Sequence, residues 1–104
     1  MDKGSWYEAK EKCKKMDSSL VKIETMEELK WIFLKKKVNA KTWIGLNDLQ
    51  TEGQWRWVSD NSLVSFSFWH KGEPNSHHVE EDCAGLYPDY WNDFPCSGKY
   101  EYIC

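Results

Sequence analysis

Trp6, Ala9, Cys13 and Met16 recur at spacings of three and four, the period of a helix with one apolar face. Ser5 and Glu8 stand just ahead as a capping box,. The pattern predicts a helix that ends near Asp17-Ser18-Ser19. Leu20, Val21 and Ile23 then suggest a short strand. A second capping box, Thr25-x-x-Glu28, opens another helix through Met26, Leu29, Ile32 and Phe33, which fades into Lys35-Lys36-Lys37,. After Asn39 the helical period disappears. Thr42 to Leu46 reads as a buried strand, and Gly45 within it predicts close approach of another backbone. Gln54 to Val58 alternates as a strand does. From Asn61 to Asp93, short apolar pieces lie among Gly, Pro, Asn, Asp and Ser, so this stretch is expected to be mostly loop. Lys99 to Cys104 alternates again and is expected to close a sheet edge. Two helices followed by short strands place the chain in the α+β class.

The 104 residues suit one domain,. Seven Trp, five Tyr and four Phe supply a bulky aromatic core, so disorder is not expected. No run approaches the ~18 apolar residues of a membrane span, and no signal peptide is visible. Charge divides along the chain. Residues 1–41 hold eleven Lys against seven acidic residues. Residues 42–104 hold Arg56, Lys71 and Lys99 against ten. An acidic half argues against nucleic acid and for a cation. The Lys35–Lys37 run reads as a solvated helix end rather than an anion patch.

Cysteines stand at 13, 83, 96 and 104. Without a CxxC pair, a zinc ribbon or a thioredoxin-type site is not expected. An even count in a small aromatic domain favours two disulfides and an oxidising compartment. Three pairings remain open on spacing alone. A bridge from 13 to 104 would contribute about 4–5 kcal/mol, and one from 83 to 96 about 3 kcal/mol.

Candidate chemistry concentrates between Glu73 and Asp93. Glu73-Pro74-Asn75, Glu81-Asp82-Cys83 and Trp91-Asn92-Asp93 set carboxylates and carboxamides in three short clusters. These are the oxygen ligands that calcium takes six to eight at a time. A loop of about thirty residues in a compact domain argues for function, and a bound ion would supply the order that hydrogen-bond ladders do not. The segment is therefore read as a calcium-holding loop, on the expectation that a fold of loop, not a helix or strand, gathers its ligands. Paired acids such as Glu81 and Asp93 also raise the possibility of a hydrolase. Catalytic pairs need separated pKa values and a concave pocket; these acids instead cluster with amides as if around an ion.

Trp43-Ile44-Gly45-Leu46, Glu73-Pro74-Asn75, Trp91-Asn92-Asp93 and the four cysteines, in this order and spacing, resemble the C-type lectin domain. The resemblance covers nearly the whole chain, and its nearest subgroup is the mannose-type lectins, such as macrophage and dendritic-cell receptors and collectins. It implies a double-looped α+β fold, with two helices flanking small antiparallel sheets and a long loop that carries the ligand site. It implies disulfides Cys13–Cys104 and Cys83–Cys96. A principal calcium site would use Glu73, Asn75, Glu81, Asn92 and Asp93, with Pro74 where the family has a cis proline. An auxiliary calcium site would use Asp48, Glu52, Glu81 and Asp82; Ser76 stands there in place of the usual Asp or Asn. The strand that ordinarily precedes the first helix has no counterpart, so the edge made by both termini is expected to be incomplete.

The resemblance implies an extracellular, non-enzymatic binding domain, secreted or part of a receptor ectodomain. Its ligands would be glycans with terminal mannose, fucose or N-acetylglucosamine; Glu-Pro-Asn is the order of those readers, and Gln-Pro-Asp that of galactose readers. His77 lies where mannose-type proteins place a side chain against the sugar, although His77 and His78 equally suit solvated loop positions. Trp43, Trp55, Trp57 and Trp91 are expected in the core. Trp69 and Tyr87 are candidates for ligand contact, with the core the stronger expectation for Trp69. The alternative function is a domain that keeps this fold and recognises a protein. No collagen repeat or coiled coil is present, so oligomerisation would rest on parts outside this chain.

Overall fold

A computed structural model describes residues 3–36, 38, 40–70, 82–87 and 90–104. Helix α1 runs Trp6–Lys15 and helix α2 Met26–Lys36. Both capping boxes form. Glu8 N donates to Ser5 Oγ at 3.1 Å and Ser5 N to Glu8 Oε1 at 2.8 Å. Glu28 N donates to Thr25 Oγ1 at 3.1 Å and Thr25 N to Glu28 Oε1 at 3.0 Å. Each box satisfies two donors that a helix start leaves without partners. Asp17 ends α1 with φ 55°; Ser18 N donates to Cys13 O and Asp17 N to Lys14 O, the two bonds of a Schellman stop. Lys35 and Lys36 lie in the last turn of α2, where cations oppose the helix dipole.

Five strands follow: β1 Thr42–Asn47, β2 Arg56–Trp57, β3 Cys83–Tyr87, β4 Tyr90–Phe94 and β5 Glu101–Tyr102. The sheet order is β2-β1-β3-β4, antiparallel throughout, and β5 pairs with β1 in parallel. Alternation of side chains between the two faces divides the core. Ile44, Leu46, Ala84, Leu86 and Trp91 join Leu29 and Ile32 of α2 in one cluster. Trp43, Cys83 and Phe94 join Trp6, Ala9 and Cys13 of α1 in the other. Trp43, Trp55, Trp57 and Trp91 are all buried. Trp69 packs on Trp55 and Trp91, with ring centroids 5.0 and 5.9 Å away. The indole N–H of Trp6 donates to Ile44 O at 2.9 Å, tying α1 to the middle of β1. Disulfides join Cys13 to Cys104 and Cys83 to Cys96.

Four expectations are corrected. Leu20–Ile23 is not a strand. It meets the sheet through isolated hydrogen bonds, Val21 N to Ile103 O and Gly45 N to Val21 O, both 2.9 Å. Leu20 enters one core cluster and Ile23 the other. The closeness read at Gly45 is real, since a Cβ there would stand 2.9 Å from Leu20 O. The alternating segment Gln54–Val58 pairs as a strand only at Arg56–Trp57. The largest correction is the β3–β4 hairpin, in a stretch read as loop. Cys83-Ala84-Gly85-Leu86 is buried on both faces and so cannot alternate,. Finally, Tyr87 closes β3 at the end remote from Asp82 and lines a different surface.

Candidate functional site

Asp48 directly follows β1 and Asp82 directly precedes β3. Antiparallel pairing sets Asn47 opposite Cys83, so the two acids emerge side by side, and Asp48 N donates to Asp82 O at 3.0 Å. The chain then curls through a turn in which Gln54 N donates to Thr51 O and Gly53 adopts φ +84°, a conformation that glycine takes without strain. Gly53 N donates to Asp48 Oδ2 at 2.9 Å. The turn thereby brings Glu52 back onto the pair. One carboxylate oxygen from each of Asp48, Glu52 and Asp82 lies within 4.8 Å of the others.

This convergence is unfavourable among anions alone. Asp48 is 2 % exposed, and its Oδ1 is buried without a hydrogen bond among the described residues. Burial pushes its carboxyl up to about 7; Glu52 and Asp82 push the same way, against the Gly53 N–H,. A buried oxygen beside two carboxylates is a donor set that a hard divalent cation satisfies. Three of the four residues assigned to the auxiliary site are thus together. Glu81, the fourth, lies outside the described residues.

Asn92 and Asp93 belong to β4, not to a loop. The hairpin register sets Asn92 opposite Gly85 and Asp93 opposite Ala84. Asp93 is 2 % exposed, and Asn92 Oδ1 accepts from Asp93 N at 3.0 Å. Gly85 is required by this packing: a Cβ would stand 2.9 Å from Thr42 O and 3.1 Å from the Phe94 ring.

β4 ends the sheet order, and its outer side receives residues 68–70. Trp91 N donates to Phe68 O and His70 N to Trp91 O, both at 2.8 Å, in a parallel bridge between Trp69 and Trp91. Residues 68–70 therefore run parallel to β4 at Trp91. The chain is next described at Asp82, whose neighbour Cys83 pairs with Phe94. The described residues on the two sides of segment 71–81 thus meet β4 at Trp91 and at Phe94, and Cys83–Cys96 braces the second of these. Glu73, Pro74, Asn75, Ser76, His77, His78 and Glu81 themselves lie outside the described residues. His70 stacks on Tyr90 at 4.2 Å between ring centroids. Sequence reasoning passed over Gly53; its signal was a glycine closing the acidic turn Leu49–Glu52 directly after a strand.

The sequence matches the family described as the Lectin C-type domain over residues 2–104. It is 43% identical over 103 residues to CD209 antigen-like protein C of Mus musculus, covering 96% of this chain and 57% of that protein. The chain thus spans little more than half of that relative. Among solved structures, the mouse scavenger receptor C-type lectin carbohydrate-recognition domain superposes with a TM-score of 0.91 at 38% identity, covering 100% of this chain and 83% of that one. The cow C-type carbohydrate-recognition domain of CD23, solved in the presence of a GlcNAc2Man3 oligosaccharide, superposes with a TM-score of 0.86 at 34% identity, covering 97% and 78%.

Proposed function

The chain belongs to the C-type lectin domains, a family of binding domains rather than enzymes, and on that footing we propose that it is a calcium-dependent reader of mannose-type sugars. The observation that carries the reading is that the residues flanking segment 71–81 meet β4 on either side of Asn92 and Asp93, His70 at Trp91 and Cys83 at Phe94. Glu73, Asn75 and Glu81 lie in sequence between those flanking residues, and with Asn92 and Asp93 these five would hold the principal ion. Asp48, Glu52 and Asp82, with Glu81, would hold the auxiliary one. When bound, the principal ion offers open coordination positions to two vicinal sugar hydroxyls.

The remaining work is done by the chain. Each hydroxyl still has a proton to donate and a lone pair to accept. Glu73 would accept and Asn75 donate at one hydroxyl; Glu81 and Asn92 would do the same at the other. Every polar group taken from water then regains a partner, which offsets desolvation. The acid-then-amide order at 73 and 75 sets which hydroxyl arrangement is matched. His77 would rest against the sugar ring.

A shallow site of this kind binds one sugar weakly, on the order of millimolar or about −4 kcal/mol. Its partners are therefore glycans that present many mannose-type termini to several copies held on a common scaffold. The two disulfides fit an extracellular setting,, and no helix among the described residues is long and apolar enough to cross a membrane.

Retention on mannose-agarose with calcium, and elution by a chelator, is the expected result. Flow-through in both conditions would leave the fold and remove the sugar reading, in favour of a protein ligand. Glu73→Gln combined with Asn75→Asp should transfer preference from mannose to galactose in monosaccharide competition; unchanged selectivity would end the donor–acceptor argument.

A further inference from the structure

At the end of the sheet opposite the acidic triad lies a cleft of about 380 Å³. Lys3, Lys41, Lys99, Tyr87, Tyr100 and Glu101 line it. Lys41 directly precedes β1 and Asp48 directly follows it, so the cleft and the triad stand roughly 20 Å apart at ~3.3 Å per strand residue. One monosaccharide cannot span both.

The cleft is built rather than incidental. The Lys41 ammonium sits 4.9, 5.2 and 5.8 Å from the ring centroids of Phe94, Tyr100 and Tyr87, a cation held over an aromatic box. No carboxylate among the described residues pairs with it. Tyr100 is fixed from below: its N donates to Gly4 O, and Gly4 N donates to its O, both at 3.0 Å. Gly98 leaves room for its ring, since a Cβ there would meet that ring at 2.6 Å. The Trp43 indole N–H donates to Gly4 O at 3.0 Å and locks the same corner. Lys99 is turned toward Glu8, its ion-pair partner, which keeps its ammonium on the rim.

We propose that this cleft binds an acidic saccharide, a sugar bearing a sulfate or phosphate ester, independently of any metal. The ester oxygens take the ammonium groups of Lys41 and Lys3, which supply donors and charge together. The apolar face of the sugar ring lies on Tyr100 and Tyr87. Glu101 can only accept when ionised, so it receives a hydroxyl of the sugar ring. That last contact selects an ester of a sugar over the free inorganic ion. The volume falls at the small end of ligand sites, sufficient for one ring and its ester.

The test is a two-dimensional NMR titration of the protein in chelator with glucose 6-sulfate, glucose 6-phosphate, glucose and inorganic phosphate. Either ester should shift the signals of Lys41, Tyr87 and Tyr100, and glucose should not; the two ester arms identify which oxyanion is preferred. Lys41→Met keeps an apolar stem over the rings and removes the charge, so it should weaken ester binding roughly ten- to a hundredfold while calcium-dependent mannose retention is unchanged. Shifts confined to other residues, equal shifts with inorganic phosphate, or full affinity in Lys41→Met would overturn the assignment. Because chelator removes the calcium-dependent site, loss of mannose retention in the unaltered protein has no bearing on this result.

Discussion

Two groups of candidate ligands meet the same electrostatic problem in different ways. Asp48, Glu52 and Asp82 come from a strand end, a turn and a strand start, and one carboxylate oxygen of each lies within 4.8 Å of the others. Asn92 and Asp93 are successive residues of one strand, positioned by the backbone ladder to β3. Crowding in the triad is visible in the Asp48 carboxyl, pushed up to about 7 by burial first and by its acidic neighbours. The strand pair carries its constraint elsewhere, in packing that only glycine permits at position 85. The difference teaches where order comes from. A strand holds its side chains whether or not an ion is bound. Acids gathered by turns repel one another and gain order when a cation joins them.

The strongest way to break this comparison is to remove charge at the strand pair. Asp93→Asn keeps volume but takes one carboxylate from the proposed principal site. Mannose retention should be abolished, with a change in unfolding free energy of no more than about 1–2 kcal/mol. Retention at the wild-type level would show that the pair does not bear on sugar binding. The packing that positions the pair is tested by Gly85→Ala. The added methyl meets Thr42 O and the Phe94 ring and should cost about 1–3 kcal/mol, measured by urea denaturation. Sugar affinity should fall with it, because Asn92 stands opposite residue 85. A Gly85→Ala protein of unchanged stability would mean that the hairpin is softer than its contacts indicate.

The contrast also explains what could be read from the sequence. Helix starts are local devices: Ser5 with Glu8 and Thr25 with Glu28 are each complete within four residues, so both helices were legible. Gly45 was legible because a glycine in an apolar run has few uses other than close backbone approach. The hairpin was hidden for two opposite reasons. β3 is buried on both faces and lacks a period, while β4 carries Asn92 and Asp93 as loops do. Only the tertiary ladder makes them strands. The ligand types were legible in the clustered acids and amides themselves; their division into two sites and the Cys13–Cys104 and Cys83–Cys96 pairing followed from resemblance, since spacing alone left three pairings open. The aromatic cleft had no sequence signal, since its lining residues come from four separate stretches of chain.

The two groups are separated most sharply by the response of stability to pH without calcium. Asp48 has a folded pKa of about 7 against an ordinary value of 3.8. Between these values the folded protein holds a proton that the unfolded chain has released, so stability in chelator should fall as pH rises from about 4 to about 7,. Calcium should reverse the slope, because protons compete with the ion for the same carboxylates. Melting temperatures measured across this range, with chelator and with calcium, should therefore diverge as pH rises. Asp48→Asn should flatten the chelator curve and raise its neutral-pH end, leaving Asp93-dependent sugar retention in place. If the wild-type chelator curve instead rose from pH 4 to pH 7, the triad would not be crowded, and the distinction between turn-gathered and strand-held ligands would lose its electrostatic basis.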